Sequence, residues 1–213
     1  MCWSATADLA AGTCVAAIGV ACVAQVRRVR DLPLAALPLL LGAHQIIESV
    51  VWRSGGGTGP ATFAWAVIAL PLLPVWVPLG VLLAAPPPAR RRLAVLAAVG
   101  IATAAVLAYS LATRTVTADI RGHTLGYVLD LPRSPLIIVG YLLATVGSLL
   151  LSGDPVLRLL GAVAGLGAVA CALLWRLEFV STWCALAAVA SVVLFRWARQ
   201  RPTGPDLAPV GRA

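Results

Sequence analysis

The apolar runs of this chain constrain its fold more than any other feature. Seven stretches of about 20 mostly apolar residues follow one another, separated by short polar breaks. A helix of roughly that length crosses the hydrocarbon layer of a bilayer. Only 11% of the residues are charged, against about 25% in soluble domains. The sequence therefore predicts an all-α integral membrane bundle of seven transmembrane helices, over residues 4–26, 32–53, 61–84, 93–112, 134–152, 157–175 and 179–197.

The arginines predict how this bundle is oriented. Eleven of them fall at one end of the predicted helices and five at the other. Because positive loops stay in the cytoplasm, we expect the amino terminus outside and the carboxyl terminus inside, in a multi-pass plasma membrane protein. Residues 1–198 form the predicted transmembrane domain, and residues 199–213 a disordered cytoplasmic tail. The net charge of +8 then reflects this topology and contact with membrane lipids, and it does not predict nucleic-acid binding.

The second predicted helix carries ionisable side chains where lipid disfavours them. His44, Glu48 and Trp52 are spaced i, i+4, i+8, so they lie on one helix face. A charged group inside a span costs about 2.5–3.5 kcal/mol on insertion scales, and such groups usually have a function. In the predicted orientation His123, Tyr127 and Glu178 lie towards the same outer side. So do five of the seven tryptophans, at positions Trp3, Trp52, Trp65, Trp175 and Trp183.

Four short motifs carry a family resemblance: Met-Cys-Trp-Ser-Ala-Thr-Ala at 1–7, Gln-x-x-Glu-x-x-x-Trp at 45–52, Gly-His-Thr-Leu-Gly-Tyr at 122–127 and Ser-Thr-Trp-Cys at 181–184. They resemble a family of small multi-span bacterial membrane proteins of unknown function that begin Met-Cys-Phe-Ser-Ala. The resemblance implies that Cys2, Glu48, His123 and Cys184 belong to one site. The chain departs from the family pattern with Trp3 for Phe, His44 for Gln and Ser49 for Gly.

A second resemblance is one of architecture, to the seven-span membrane-bound terpene cyclases, which use buried carboxylic acids. It implies acid-initiated cyclisation of a lipophilic, isoprenoid-like substrate, with Glu48 as the proton donor. A carboxylic acid in an apolar pocket stays protonated, and the faces of the five tryptophans and Tyr127 would stabilise a carbocation. His44, Glu178 or His123 would orient Glu48 or accept the final proton. This mechanism needs no cofactor.

Two other readings remain open. Cys2, His44, Glu48, His123 and Cys184 are all acceptable zinc ligands, and three of them with an open position would make a membrane hydrolase. Cys2 and Cys184 equally well form a disulfide in an oxidising outer compartment, or remain free thiols. The chain lacks lysine, which excludes a retinal-type Schiff base despite the seven predicted helices.

A transporter or structural membrane protein is the non-enzymatic alternative. Pro71, Pro74 and Pro78 would kink the third span, and neighbouring helices must then satisfy the freed carbonyls. The polar groups stop in the outer half, which argues against a path through the membrane. Gly161 and Gly165 form a small-residue face in the sixth span, for packing inside the bundle or in a homo-oligomer.

Overall fold

The computed structural model describes residues 4–122, 124–129, 134–174 and 179–201, without the side chains of residues 134 and 171–185. The described part is a helical bundle with one small β-hairpin. Its elements are α1 (Ala5–Ala24), a 3₁₀ turn (Val29–Asp31), α2 (Leu32–Ala35), α3 (Leu37–Arg53), α4 (Pro60–Val67), a π-helical turn (Ile68–Leu72), α5 (Leu73–Ala84), α6 (Pro87–Thr113), β1 (Thr117–Arg121), β2 (Thr124–Val128), α7 (Ser134–Leu142), a second π-helical turn (Leu143–Gly147), α8 (Ser148–Leu150), α9 (Pro155–Leu174) and α10 (Phe179–Gln200).

Length and apolar composition make four of the described helical segments able to cross a membrane: Ala5–Ala24, Val29–Arg53, Pro60–Ala84 and Pro87–Thr113. Two further apolar segments, Pro135–Leu150 and Pro155–Ala170, are shorter. With α10, the described residues form seven helical rods, in the order that the apolar runs predict. The final helix extends to Gln200, two residues beyond the predicted domain boundary. The inside–outside orientation stays a prediction.

The all-α prediction is wrong for the long connection after α6. Strands β1 and β2 pair as an antiparallel hairpin in which Thr117 is opposite Val128 and Arg121 is opposite Thr124, and Gly122 after β1 has φ +61°. Ala118 and Leu125 are buried on one side of the hairpin and pack with Val51 of α3. The hairpin therefore belongs to the hydrophobic core, and tertiary contacts stabilise strands of only five residues.

Glycines allow α1 and α3 to pack with their backbones in contact. A β-carbon on Gly12 would lie 2.9 Å from the Gly42 carbonyl oxygen, and one on Gly19 would lie 2.6 Å from the Leu39 amide nitrogen. A β-carbon on Gly42 would lie 2.7 Å from the Ala16 amide nitrogen. The two helices run antiparallel, so the start of α1 lies beside the end of α3. This contact fixes which side chains of α1 face Glu48.

The prolines of the third span coincide with a π-helical turn. The Leu73 amide donates to the Ile68 carbonyl, five residues earlier. Continuing that pattern, residue 74 would donate to Ala69, but Pro74 has no N–H. The Tyr141 hydroxyl of α7 donates to the Ala69 carbonyl instead, at 2.7 Å. A neighbouring helix thus satisfies a carbonyl that a proline leaves free, as the sequence predicts.

Replacing Tyr141 with phenylalanine tests this account of the kink. The substitution leaves a buried carbonyl without its donor, so we expect a loss of about 1–3 kcal/mol in the free energy of unfolding. Tyr109→Phe is the matched control, because Tyr109 is 70% exposed, and it should change stability by less than about 0.5 kcal/mol. Denaturant unfolding in detergent micelles measures both. Equal stability of the two variants would contradict the proposed role.

The small-residue face of the sixth span packs inside the chain. A β-carbon on Gly161 would lie 2.9 Å from the β-carbon of Leu149, and one on Gly165 would lie 3.3 Å from Val146. The glycines therefore admit α8 and the adjoining π-helical turn to close contact with α9. A homo-oligomer does not need this face and stays an untested prediction.

Candidate functional site

Glu48 lies completely buried near the end of α3, where α4 begins and the hairpin closes over the bundle. The Tyr127 hydroxyl of β2 donates to Glu48 Oε1 at 3.3 Å. Gln45 and Ser49, also buried, lie within one turn of it on the same helix. Glu48, the one glutamate among the residues that the structure describes, thus has a hydrogen-bond donor from a different element, 79 residues away in sequence.

Aromatic rings surround this carboxyl group. The rings of Trp65 and Tyr127 stack with centroids 3.4 Å apart and planes within 2° of parallel. The His44 ring also packs against Trp65, with the ring centroids 4.8 Å apart and the planes tilted by 35°. Trp65 is only 4% exposed, and among the residues that the structure describes neither its indole nitrogen nor His44 Nδ1 has a hydrogen-bond partner. The site therefore combines a carboxyl group with electron-rich faces and little water.

A second carboxyl group comes from α1. Asp8 is 1% exposed, and its Oδ2 atom has no hydrogen-bond partner within the described part of the chain. The contact of Gly12 with Gly42 and Ile46 places Asp8 towards the end of α3 that carries Glu48 and Trp52. The Trp52 indole N–H is near Asp8 but outside hydrogen-bonding geometry. The sequence analysis does not single out Asp8. The missed signal is its spacing, since Asp8 comes one turn before Gly12 on the face of α1 that packs against α3.

A glycine turn holds the hairpin over the site. Gly55, Gly56 and Gly57 all have φ between +77° and +83°, a backbone conformation that residues with a β-carbon rarely adopt. Gly57 pairs with Ala118 of β1 through two backbone hydrogen bonds, of 2.7 and 3.1 Å. Thr62 of α4 donates to the Gly57 carbonyl at 3.0 Å. This turn links α3, α4 and the hairpin, and so sets the position of Tyr127 over Glu48.

Comparison with family models identifies the family of the chain. A model described as a family of unknown function, DUF6629, matches residues 1–208 of the 213. The chain belongs to this family. The match confirms the resemblance to a family of unknown function that the four motifs carry. No curated protein and no solved structure was found to match the chain.

For this DUF6629 protein, the structure places only some of the site residues that the sequence predicts. Glu48, His44, Trp65 and Tyr127 come together, and Trp52 lies at the edge of the group beside Asp8. Trp183 and Cys184 lie on α10, but the structure does not describe their side chains. The remaining predicted residues fall outside the described ranges: Cys2, Trp3, His123, Trp175 and Glu178.

The zinc reading stays a prediction for the same reason. Of its five candidate ligands, only His44 and Glu48 have described side chains. Within residues 4–122, 124–129, 134–174 and 179–201, no three histidine, cysteine or carboxylate side chains cluster closely enough to hold a metal ion. The described geometry is that of a buried carboxyl group, Glu48, in contact with the Trp65–Tyr127 stack through Tyr127, with the buried Asp8 on the neighbouring helix. Such a pair can hold, donate and accept a proton away from water.

Proposed function

We propose that the protein is an integral membrane enzyme that acts on a lipophilic, isoprenoid-like substrate by acid-initiated cyclisation, with Glu48 as the proton donor. The observation that carries the proposal is the completely buried Glu48, which accepts a hydrogen bond from Tyr127 of the Trp65–Tyr127 stack. A second buried carboxyl group, Asp8, lies on the face of α1 that packs against the same helix. The apolar length of four helices supports the membrane location. Substrate then enters laterally from the lipid.

The carboxyl pair suits a proton donor because two adjacent buried carboxylates repel each other. Ionising both carboxyl groups would create two negative charges near each other in a site away from water, which costs free energy. We therefore expect Glu48 to keep its proton in this setting, as one member of a carboxyl dyad does. The Tyr127 hydrogen bond to Glu48 Oε1 fixes the orientation of the carboxyl group. Asp8 is positioned to hold Glu48 in its protonated form.

The reaction balances without an oxidant or a metal. Glu48 gives its proton to one carbon of a terminal alkene, and a carbocation forms on the other. A second alkene attacks that cation and closes a ring. The new cation then loses a proton from a neighbouring carbon to a carboxylate, and the product is an isomer of the substrate. Each positive charge along this path gains from the faces of Trp65 and Tyr127.

Burial of the site protects these cations from water. Glu48 is fully covered, so water has no direct path to it. Tyr127 and Trp65 form part of that cover, and substrate reaches Glu48 when one of them moves aside.

Incubation with polyprenyl alkenes in heavy water tests the proposal. Purified protein in nanodiscs receives linear polyprenyl chains, free or attached to an aromatic ring, in D₂O. We expect a cyclic product that carries one carbon-bound deuterium in D₂O and has the mass of the substrate in H₂O. Mass spectrometry and NMR read the product. Ring closure without deuterium incorporation, or zinc-dependent hydrolysis of a lipid ester in place of ring closure, would contradict it.

A further inference from the structure

The end of α10 opposite the carboxyl pair presents two arginines on the outside of the bundle. Arg196 and Arg199 are exposed, and with Val192, Phe195 and Gln200 of the same helix they line a shallow groove that is open to the outside of the bundle. The apolar surface continues along the helix, since Val192 is 58% exposed and Val189 is 46% exposed. One helix face therefore changes from apolar to cationic within about two turns.

Buried contacts fix the rotation of α10 that gives this face. Trp197 is 1% exposed, and its indole nitrogen donates to Asp154 Oδ2 at 3.1 Å. Arg201 lies 4.6 Å from the Trp197 ring and donates to the Ala84 carbonyl at 2.7 Å. Leu194, on the same inward side, is fully buried. Because these groups point inward, Arg196 and Arg199 point away from the bundle.

Arg201, which points inward, differs from the outward Arg196 and Arg199 in its ion-pair partners. Arg201 forms ion pairs with Asp31 at 3.5 Å and with Asp154 at 3.8 Å. Among the residues that the structure describes, no carboxylate pairs with Arg196 or Arg199. The Arg199 guanidinium instead packs 5.7 Å from the Phe195 ring centroid. The groove thus presents two arginines that no described carboxylate neutralises, beside apolar side chains.

We propose that this groove binds an anionic phospholipid, with the phosphate held between Arg196 and Arg199 and an acyl chain along Val192 and Val189. Guanidinium groups bind phosphate oxygens through paired hydrogen bonds, and the apolar stripe matches an acyl chain. A soluble anion would leave that stripe uncovered, which is why a lipid fits the groove better. The proposal rests on the membrane location proposed above and is independent of the acid chemistry.

Native mass spectrometry with short-chain phosphatidylglycerol tests this site. The unmodified chain in detergent should bind the lipid saturably, and more tightly than short-chain phosphatidylcholine. Each basic residue near an anionic lipid contributes enough that Arg196→Gln with Arg199→Gln should weaken binding roughly 30-fold. Val192→Trp fills the apolar part of the groove at constant charge and should also weaken binding.

Arg91→Gln with Arg92→Gln is the matched control. These arginines are exposed on α6 at the same end of the bundle and are not part of the groove. The pair removes the same charge and should change affinity less than about threefold. Equal losses in both double variants would overturn the site, because attraction would then be diffuse. A normal affinity of Val192→Trp would overturn the acyl-chain placement. Lipid binding by Glu48→Gln should be unchanged, which separates this proposal from catalysis.

Discussion

Glu48→Gln is expected to lower turnover of the cyclised substrate by about 10²–10⁴-fold. Glutamine keeps the size of the side chain, and its amide oxygen can still accept the Tyr127 hydroxyl bond at the position of Oε1. It cannot release a proton as an acid, so the first step of the reaction is lost. Single-turnover assays in nanodiscs measure the rate, and thermal unfolding of the same samples checks that the variant is folded.

Asp119→Asn is the matched control for this result. Asp119 lies on β1 at the same end of the bundle, and its side chain is 52% exposed in an ion pair with Arg121. Its replacement should leave turnover within about twofold, because surface changes of this kind rarely matter. Full activity of Glu48→Gln would remove Glu48 from the mechanism. A larger loss in Asp8→Asn than in Glu48→Gln would reassign the proton donor to Asp8.

The sequence predicts the helices because their physics is local. Twenty apolar residues in a row need no tertiary information to indicate a span, and the seven rods follow the predicted order. Glu48 stands out for the same reason, as a carboxyl group inside an apolar run. Asp8, the second carboxyl group, does not stand out in the sequence. Asp8 lies eight residues from the amino terminus and is buried only because Gly12, Gly19 and Gly42 bring α1 and α3 into backbone contact.

The hairpin and the π-helical turns depend on contacts that are distant in sequence. Strand β1 alternates imperfectly, with exposed Asp119, Ile120 and Arg121 in succession, and its pairing with Gly57 spans about sixty residues. Proline predicts a kink at residues 71–74, but not that Tyr141 would supply the donor to Ala69. Sequence periodicity predicts which residues share a helix face, but tertiary packing determines which residues that face contacts.

Gly42→Leu should separate α1 from α3 and reduce the free energy of unfolding by about 3 kcal/mol or more. Even a β-carbon at this position would lie 2.7 Å from the Ala16 amide nitrogen and 2.8 Å from the Gly12 carbonyl oxygen. Both are backbone atoms, so no rotamer change relieves the clash and the helices must move apart. The movement carries Asp8 away from Glu48, and we therefore expect turnover to fall together with stability.

Ala43→Leu separates this effect from the mere addition of a leucine. Ala43 is the next residue of α3 and is exposed, so the same side chain there enters lipid and should change stability by less than about 0.5 kcal/mol. Denaturant unfolding in micelles compares the two variants, and the turnover assay is run on both. Normal stability of Gly42→Leu would mean that α1 and α3 are not in backbone contact, and Asp8 would lose its place beside Glu48. Reduced stability with full turnover would keep the packing but remove Asp8 from the mechanism, since the carboxyl pair would then not be needed for proton transfer.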